Sequence, residues 1–261
     1  MVSSQELEIV RRFFDHVYGK KPDTTQANQH HDGKIGHWLE TQMGILHNAN
    51  NEADLLGFEM KNQTTSGKTT FGDWSADYYV FKCRNNPNST LSRNQFIEIF
   101  GKPNPDKKNR FSWSGSPIPK INTPSSWNGS QMIIDENDTI AIIYDYSNDP
   151  RSDKSATIPQ EYQRDDIILA SWSRAWLENK LTAKFSQNGW FKCFRNKNGI
   201  YDRIAFGNPF SFNDWLNLVR QGIVYFDSGM YVGNSRNYSQ WRADNDFWNS
   251  LIIREYPPFP F

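Results

Sequence analysis

The stretch Ala53-Asp54-Leu55-Leu56-Gly57-Phe58-Glu59-Met60-Lys61 decides how this chain is read. It predicts a turn carrying Asp54, then a buried strand carrying Glu59 and Lys61. Residues two apart on a strand share a face. Glu59 and Lys61 therefore project side by side, with Met60 pointing into the core behind them. Asp54, just ahead of the strand, can curl round to meet them. Two carboxylates and an ammonium then converge on one point. Carboxylate oxygens are the ligands Mg²⁺ prefers, and a lysine beside them can orient a water and offset charge developing on a phosphate. The set suits metal-dependent cleavage of a phosphodiester. The plain alternative is an ion pair on an edge strand.

Two other acid-x-Lys runs compete. Asp106-Lys107-Lys108 follows Pro105 within a run of charge and reads as a solvated turn. Glu178-Asn179-Lys180 lies in a predicted helix, where residues two apart diverge. Only residues 59–61 follow an apolar run, Leu55, Leu56 and Phe58.

Upstream, Gly33-Lys34-Ile35-Gly36-His37-Trp38-Leu39-Glu40 runs into Thr41-Gln42-Met43-Gly44-Ile45. Ile35, Trp38, Leu39 and Met43 recur at helical spacing, with Glu40 beside the stripe. Gly-x-x-Leu-Glu on a first helix, an Asn-rich link, then Asp and Glu-x-Lys resembles the PD-(D/E)XK nucleases. The pattern is similar to the mismatch-repair nickase MutH and still more to the monomeric type II restriction endonucleases of the MvaI and BcnI kind. In that branch the aspartate precedes the glutamate by five positions, as Asp54 precedes Glu59. The MutH gap of seven would select Glu52. Ala53 stands where the family writes proline. Residues 93–102, Phe111-Ser112-Trp113-Ser114-Gly115 and Leu218 through Asp227 followed by Tyr231-Val232-Gly233 continue the resemblance more faintly. The family's His-Asp-His-Gly stretch is replaced by Asn237 through Asp246.

The resemblance implies an α/β fold. Its core is a mixed central sheet flanked by helices, and a second, recognition lobe completes a DNA-binding cleft. It implies Mg²⁺ held by Asp54, Glu59 and the Met60 carbonyl, with Lys61 at the attacking water. Glu40 either binds a second ion through water or holds Lys61. The partner it implies is double-stranded DNA, cut by a monomer one strand per encounter to leave 5′-phosphate ends. A DNA methyltransferase belongs to the same system without direct contact. Base reading needs paired donors and acceptors. Arg236, Asn237, Gln240, Arg242, Asp244 and Asn245 supply them on an expected loop, joined by Asp227 through the resemblance. Trp241 within it is either an anchor or a wedge at the base stack.

The 261 residues carry 29 basic and 29 acidic side chains, so no global basic signature exists. Residues 82–122 hold eight cations against Glu98 and Asp106, a net charge of +6. Lys102, Lys107, Lys108 and Arg110 within that stretch are candidates for backbone phosphate contacts. The ten tryptophans also fit a different class, a non-catalytic aromatic-rich module binding carbohydrate. Cys83 and Cys193 form no metal spacing or disulfide framework. With no signal segment and no apolar run long enough for a bilayer, a cytoplasmic protein is expected.

Along the chain, Ser4 through Tyr18 reads as an amphipathic helix capped by Ser3 or Ser4. His30 and His31 read as exposed loop residues. Residues 62–70 read as a turn, and 77–83 as a strand forming a hairpin with 58–61. Residues 101–130 read as a long irregular segment. A strand is expected at 139–144, a helix up to Phe185, and a hairpin of 189–194 and 200–206 around Asn196-Lys197-Asn198-Gly199. A helix over 215–221 and strands over 223–226 and 230–232 follow. Residues 147–160 mark the expected boundary between a catalytic lobe, 1–155, and a recognition lobe, 156–261. The tail from Glu255 to Phe261 reads as irregular.

Overall fold

The computed structural model of the protein describes residues 2–25, 33–45, 51–62, 64 and 66–256. His30, His31 and residues 257–261 lie outside the described residues. The helices are α1 (Ser4–His16), α2 (Lys34–Met43), α3 (Arg93–Phe100), α4 (Lys154–Thr157), α5 (Arg174–Phe185), α6 (Phe212–Arg220) and α7 (Asn245–Ser250). The strands are β1 (Phe58–Asn62), β2 (Lys68–Asp73), β3 (Tyr78–Tyr79), β4 (Lys102–Asn104), β5 (Arg110–Trp113), β6 (Gln131–Ile134) and β7 (Ile140–Tyr144). They continue with β8 (Ile167–Trp172), β9 (Gly189–Arg195), β10 (Tyr201–Gly207), β11 (Tyr225–Ser228), β12 (Met230–Tyr231), β13 (Ser239–Asp244) and β14 (Ile252–Tyr256). No helix among the described residues is long and apolar enough to cross a membrane.

The chain forms two compact units, each built from separate segments. The first holds residues 1–69, 180–212 and 244–261, and the second 70–179 and 213–243. The division differs from the single expected boundary at 155. Residues 147–160 lie inside the second unit, where Asp149 is buried, accepts from the Tyr144 hydroxyl (2.8 Å) and pairs with Arg151 (2.6 Å). The Pro/Asp-rich composition there reflects a pinned turn and not a linker.

In the first unit the sheet runs β1-β9-β10-β14. β1 lies parallel to β9, and the other pairs are antiparallel. Alternation in β1 sends Phe58 and Met60 to one face. There they share a core with Leu39 and Met43 of α2, Ile9, Val10 and Phe13 of α1, and Phe191 and Phe206 of the sheet. Ser3 caps α1 by accepting from the Glu6 N–H (3.1 Å). Buried Glu6 ties α1 to the last strand through Arg254 (2.7 Å) and the Tyr256 hydroxyl (2.9 Å). The end therefore stays in the sheet as far as Tyr256, where the sequence read an irregular tail from Glu255.

The second unit contains the antiparallel sheet β3-β8-β7-β6 and the smaller sheets β11-β13-β2 and β12-β5-β4. Its core is aromatic. Trp172 meets Phe226 at 4.8 Å and Trp241 at 5.3 Å between ring centres, and Trp215 meets Trp241 at 5.2 Å. Seven of the ten tryptophans are fully buried, which removes the ground for an aromatic-rich binding module.

Three expected elements differ. β1 takes β9 as its partner instead of residues 77–83, of which only Tyr78 and Tyr79 are strand, paired to β8. Residues 68–70 already belong to β2, where Thr69, Thr70 and Phe71 suit a pleated surface. The segment 101–130 is partly regular, with β4 and β5 joined by a 3₁₀ turn over Pro105–Lys107. The hairpin of β9 and β10 stands where the Asn-Gly signal placed it.

Candidate active site

Leu55 and Phe58 exchange backbone hydrogen bonds of 3.0 and 2.9 Å around Leu56 and Gly57. Both central residues have positive φ, 50° and 80°, the pattern of a tight type I′ turn. Glycine suits position 57 on two counts. Its φ is left-handed, and a Cβ would meet the Asn188 side-chain amide at 2.7 Å. Leu56 adopts the same region despite its Cβ, and such outliers concentrate at functional sites. The turn folds Asp54 back over β1, where Oδ2 accepts from the Met60 N–H at 2.8 Å.

On the strand, Glu59 and Lys61 share the face opposite Met60. Lys61 Nζ lies 2.9 Å from Glu59 Oε1, and both side chains are buried. Lys61 also packs over the rings of Phe185 (5.0 Å) and Trp248 (5.7 Å). A second ammonium joins from α5, with Lys184 Nζ 2.8 Å from the same Glu59 Oε1. Burial would push the Glu59 carboxyl up, but Lys61 and Lys184 outweigh it and hold the group below its usual range. Burial moves Lys61 in the opposite sense, below the ordinary lysine value, against the pull of Glu59. Asp54 is raised to about 7, by burial first and by the Glu59 charge second.

Glu59 Oε2 is buried and has no hydrogen-bond partner among the described residues. An ionised oxygen held dry and unpartnered is costly unless a cation completes it. With Asp54 beside it, the donor set is oxygen only, as a hard divalent ion requires. No three His, Cys, Asp or Glu side chains converge among the described residues. The side-chain donors are therefore two carboxylates, Asp54 and Glu59, and the residues present fit such an ion.

Glu40 lies half-buried on α2, next to Leu39, whose side chain shares the core of Met60. Two lysines escaped the sequence reading. Lys184 follows the apolar positions Leu177 and Leu181 at helical spacing, so a charge on the buried stripe was its signal. Lys192 stands in β9 opposite Lys61, inside the apolar run Trp190-Phe191-Lys192-Cys193-Phe194. Its Nζ donates to Asn249 Oδ1 at 3.1 Å. Burial, reinforced by Arg203, lowers it to about 8.

The expected recognition residues divide. Trp241 sits in β13, fully buried in the aromatic core, so it anchors the strand and is no wedge. The expected loop extends only to Tyr238, with β13 following. Gln240 and Arg242 alternate with buried Ser239, Trp241 and Ala243, and Asp227 lies opposite Gln240 on β11. Arg242 pairs with Asp227 at 3.4 Å and donates to Gln240. These three form one polar row. Arg236 is 63% exposed and pairs with Asp73 at 2.9 Å, and Asn237 lies in the loop ahead of β13. Asp244 is exposed where β13 ends. Asn245 belongs to the first unit and is committed to structure. Its Oδ1 accepts from Thr69 Oγ1 (2.7 Å), its Nδ2 donates to the Thr64 carbonyl (3.2 Å), and its N–H donates to the Gly67 carbonyl (2.9 Å).

Of the basic candidates, Lys107 and Lys108 are exposed at the β4–β5 turn. Lys102 lies over the Trp127 ring at 4.9 Å, and the Arg110 guanidinium stacks on Tyr231 at 3.5 Å. All four belong to the second unit.

Comparison with known proteins shows which family and fold the chain is similar to. The model of the LlaMI restriction endonuclease family matches residues 17–256. The chain is 50% identical over 260 residues to the type II restriction enzyme ScrFI of Lactococcus lactis subsp. cremoris, covering 94% of this chain and 96% of that protein. The fold matches the restriction endonuclease MvaI in its complex with cognate DNA substrate, with a TM-score of 0.63, 13% identity, and coverage of 98% and 99% of the two chains.

Proposed function

The chain belongs to the LlaMI restriction endonuclease family and is a type II site-specific deoxyribonuclease, and we propose that it cuts double-stranded DNA with Mg²⁺ held by Asp54, Glu59 and the Met60 carbonyl. Enzymes of this type generally use divalent ions. The observation that carries the assignment is the buried, unpartnered Glu59 Oε2 beside Asp54 and Lys61.

When bound, the ion supplies Lewis-acid stabilisation of charge developing on the scissile phosphate. The protein does the rest. Asp54 is oriented by the Met60 N–H, and Glu59 is kept ionised by two lysines. Lys61 orients the attacking water, and burial lowers its proton affinity below that of an ordinary lysine, which makes it the readier proton donor. Glu40 supports this centre from α2. The products carry 5′-phosphates.

Asp227, Gln240 and Arg242, with Arg236, Asn237 and Asp244, read base edges. Lys102, Lys107, Lys108 and Arg110 hold backbone phosphates. One catalytic set in one chain cuts one strand per encounter, and the resemblance to the MvaI kind supports a monomer that turns round for the second strand. It works in the cytoplasm beside a DNA methyltransferase that it does not contact.

Incubation with phage DNA, with and without Mg²⁺, followed by end sequencing tests the proposal. Mg²⁺-dependent fragments sharing one short motif support it. Cleavage that needs a partner protein points to a MutH-like nickase instead.

A further inference from the structure

We propose that Lys184 is a built-in counter-ion at the acid pair and keeps the DNA-free protein from loading a divalent ion. The inference rests on the reading of Asp54 and Glu59 as the metal-holding acids. Lys184 Nζ is 2.8 Å from Glu59 Oε1, where Lys61 already stands at 2.9 Å. Its side chain is 18% exposed. Among the cations acting on Asp54, Lys184 acts more strongly than Lys61. With both acids ionised, the cluster of Asp54, Glu59, Lys61 and Lys184 is neutral. Asp54, Glu59 and Lys61 alone would carry one negative charge.

The position of Lys184 is fixed by the segment that carries Asp54. The Ala53 N–H donates to the Ala183 carbonyl (3.1 Å), and the Asn51 side chain donates to the Lys180 carbonyl (2.7 Å). The next residue, Phe185, packs against Lys61. A lysine in the last turn of a helix is also favoured by the helix dipole. A dipole alone does not bring the ammonium onto a buried carboxylate already bound to another lysine. Two cations on one oxygen leave the pair without the net negative charge that attracts a divalent ion. A DNA phosphate restores that charge, so ion uptake and DNA arrival are coupled. A site charged in this order is not held metal-loaded while idle.

The test measures Mn²⁺ binding to the DNA-free protein, by the electron paramagnetic resonance signal of free Mn²⁺. The proteins are wild type, Lys184→Met, Lys184→Gln, Lys184→Arg and the double variant Lys184→Met/Asp54→Asn. One unit charge beside the acids changes divalent affinity by about tenfold or more at a dielectric between protein and water. Wild type and Lys184→Arg bind weakly, and Lys184→Met and Lys184→Gln bind about tenfold tighter. The double variant loses that gain. Met or Gln variants that fold and bind Mn²⁺ no tighter than wild type overturn the counter-ion role. A gain that survives Asp54→Asn instead overturns the assignment of Asp54 and Glu59 as the metal site.

Discussion

Glu59→Gln and Lys61→Met remove opposite halves of the same buried ion pair, and their effects on stability differ sharply. Lys61→Met leaves Glu59 paired with Lys184 at 2.8 Å and puts a thioether against Phe185 and Trp248. The expected change is within about 1 kcal/mol, because the remaining charge keeps a partner and the slot is aromatic. Glu59→Gln leaves two ammonium groups without their carboxylate, one of them buried. Stripping one partner from a buried pair costs about 3–5 kcal/mol. Lys61 has an escape, because it can lose its proton. From an ordinary lysine value of about 10.4, that escape costs about 3 kcal/mol at pH 8, and about 1.4 kcal/mol less for each further pH unit. A lysine depressed in the folded state binds fewer protons folded than unfolded, so stability rises with pH towards the ordinary lysine value. Urea unfolding between about pH 7 and 9.5 therefore finds Glu59→Gln least stable at the acidic end and recovering as pH rises. Lys61→Met, which lacks the titrating group, shows no such recovery with pH. Both are inactive in DNA cleavage. If Glu59→Gln matched wild-type stability at every pH, or Lys61→Met lost as much as Glu59→Gln, the buried-pair reasoning would be refuted.

The raised Asp54 predicts that divalent binding strengthens with pH up to about 7, since the carboxyl must lose its proton to bind. At subsaturating Mg²⁺ the single-turnover cleavage rate rises with pH through that range, and higher Mg²⁺ moves the midpoint to lower pH. A midpoint indifferent to Mg²⁺ counts against Asp54 as a ligand. Arg242→Ala lowers affinity for the specific site by about 1–3 kcal/mol with little loss on random DNA, whereas Asn245→Ala costs about 1–3 kcal/mol of folding stability through its stranded Thr69 hydroxyl. Competition binding and thermal melts separate the two, and a specificity change without destabilisation in Asn245→Ala would return that residue to base reading. Leu56→Asn, at a residue with φ of 50° and 41% exposure, stabilises the turn by about 1 kcal/mol, measured by urea unfolding. A loss of stability there would mean that Leu56 makes packing contacts that outweigh its backbone strain.

The acid pair was legible because it is local. Asp54, Glu59 and Lys61 lie within eight residues, and a turn followed by strand alternation is enough to bring them together. Lys184 reaches the same carboxylate from 125 residues away, and no local rule joins the two. What the sequence did carry was a lysine on a buried helical stripe, an inconsistency between pattern and charge of the kind that marks sites. Asn245 shows the converse case. Its amide suits adenine and its neighbours are polar, but a side chain with several partners inside its own unit cannot be told from a free one by residue type.

The same distinction explains the fold. The β9–β10 hairpin follows from Asn-Gly chemistry and short-range pairing. The β1–β9 pairing is parallel, and parallel strands require a long crossover, so sequence neighbours give no hint of it. Pairing β1 with the nearest later strand was the natural local inference, and the crossover through residues 70–179 defeats it. That long insertion is also why one boundary at 155 could not describe the units, since the chain leaves the first at 69, returns at 180, leaves again at 212 and returns at 244. The tryptophans follow the same logic. Trp74, Trp113, Trp172, Trp215 and Trp241 come from across the second unit and meet in one core, so their number reported long-range packing rather than a surface for ligand. The chemistry sits where local sequence holds the acids, and distant segments supply the charges and walls that make the acids usable.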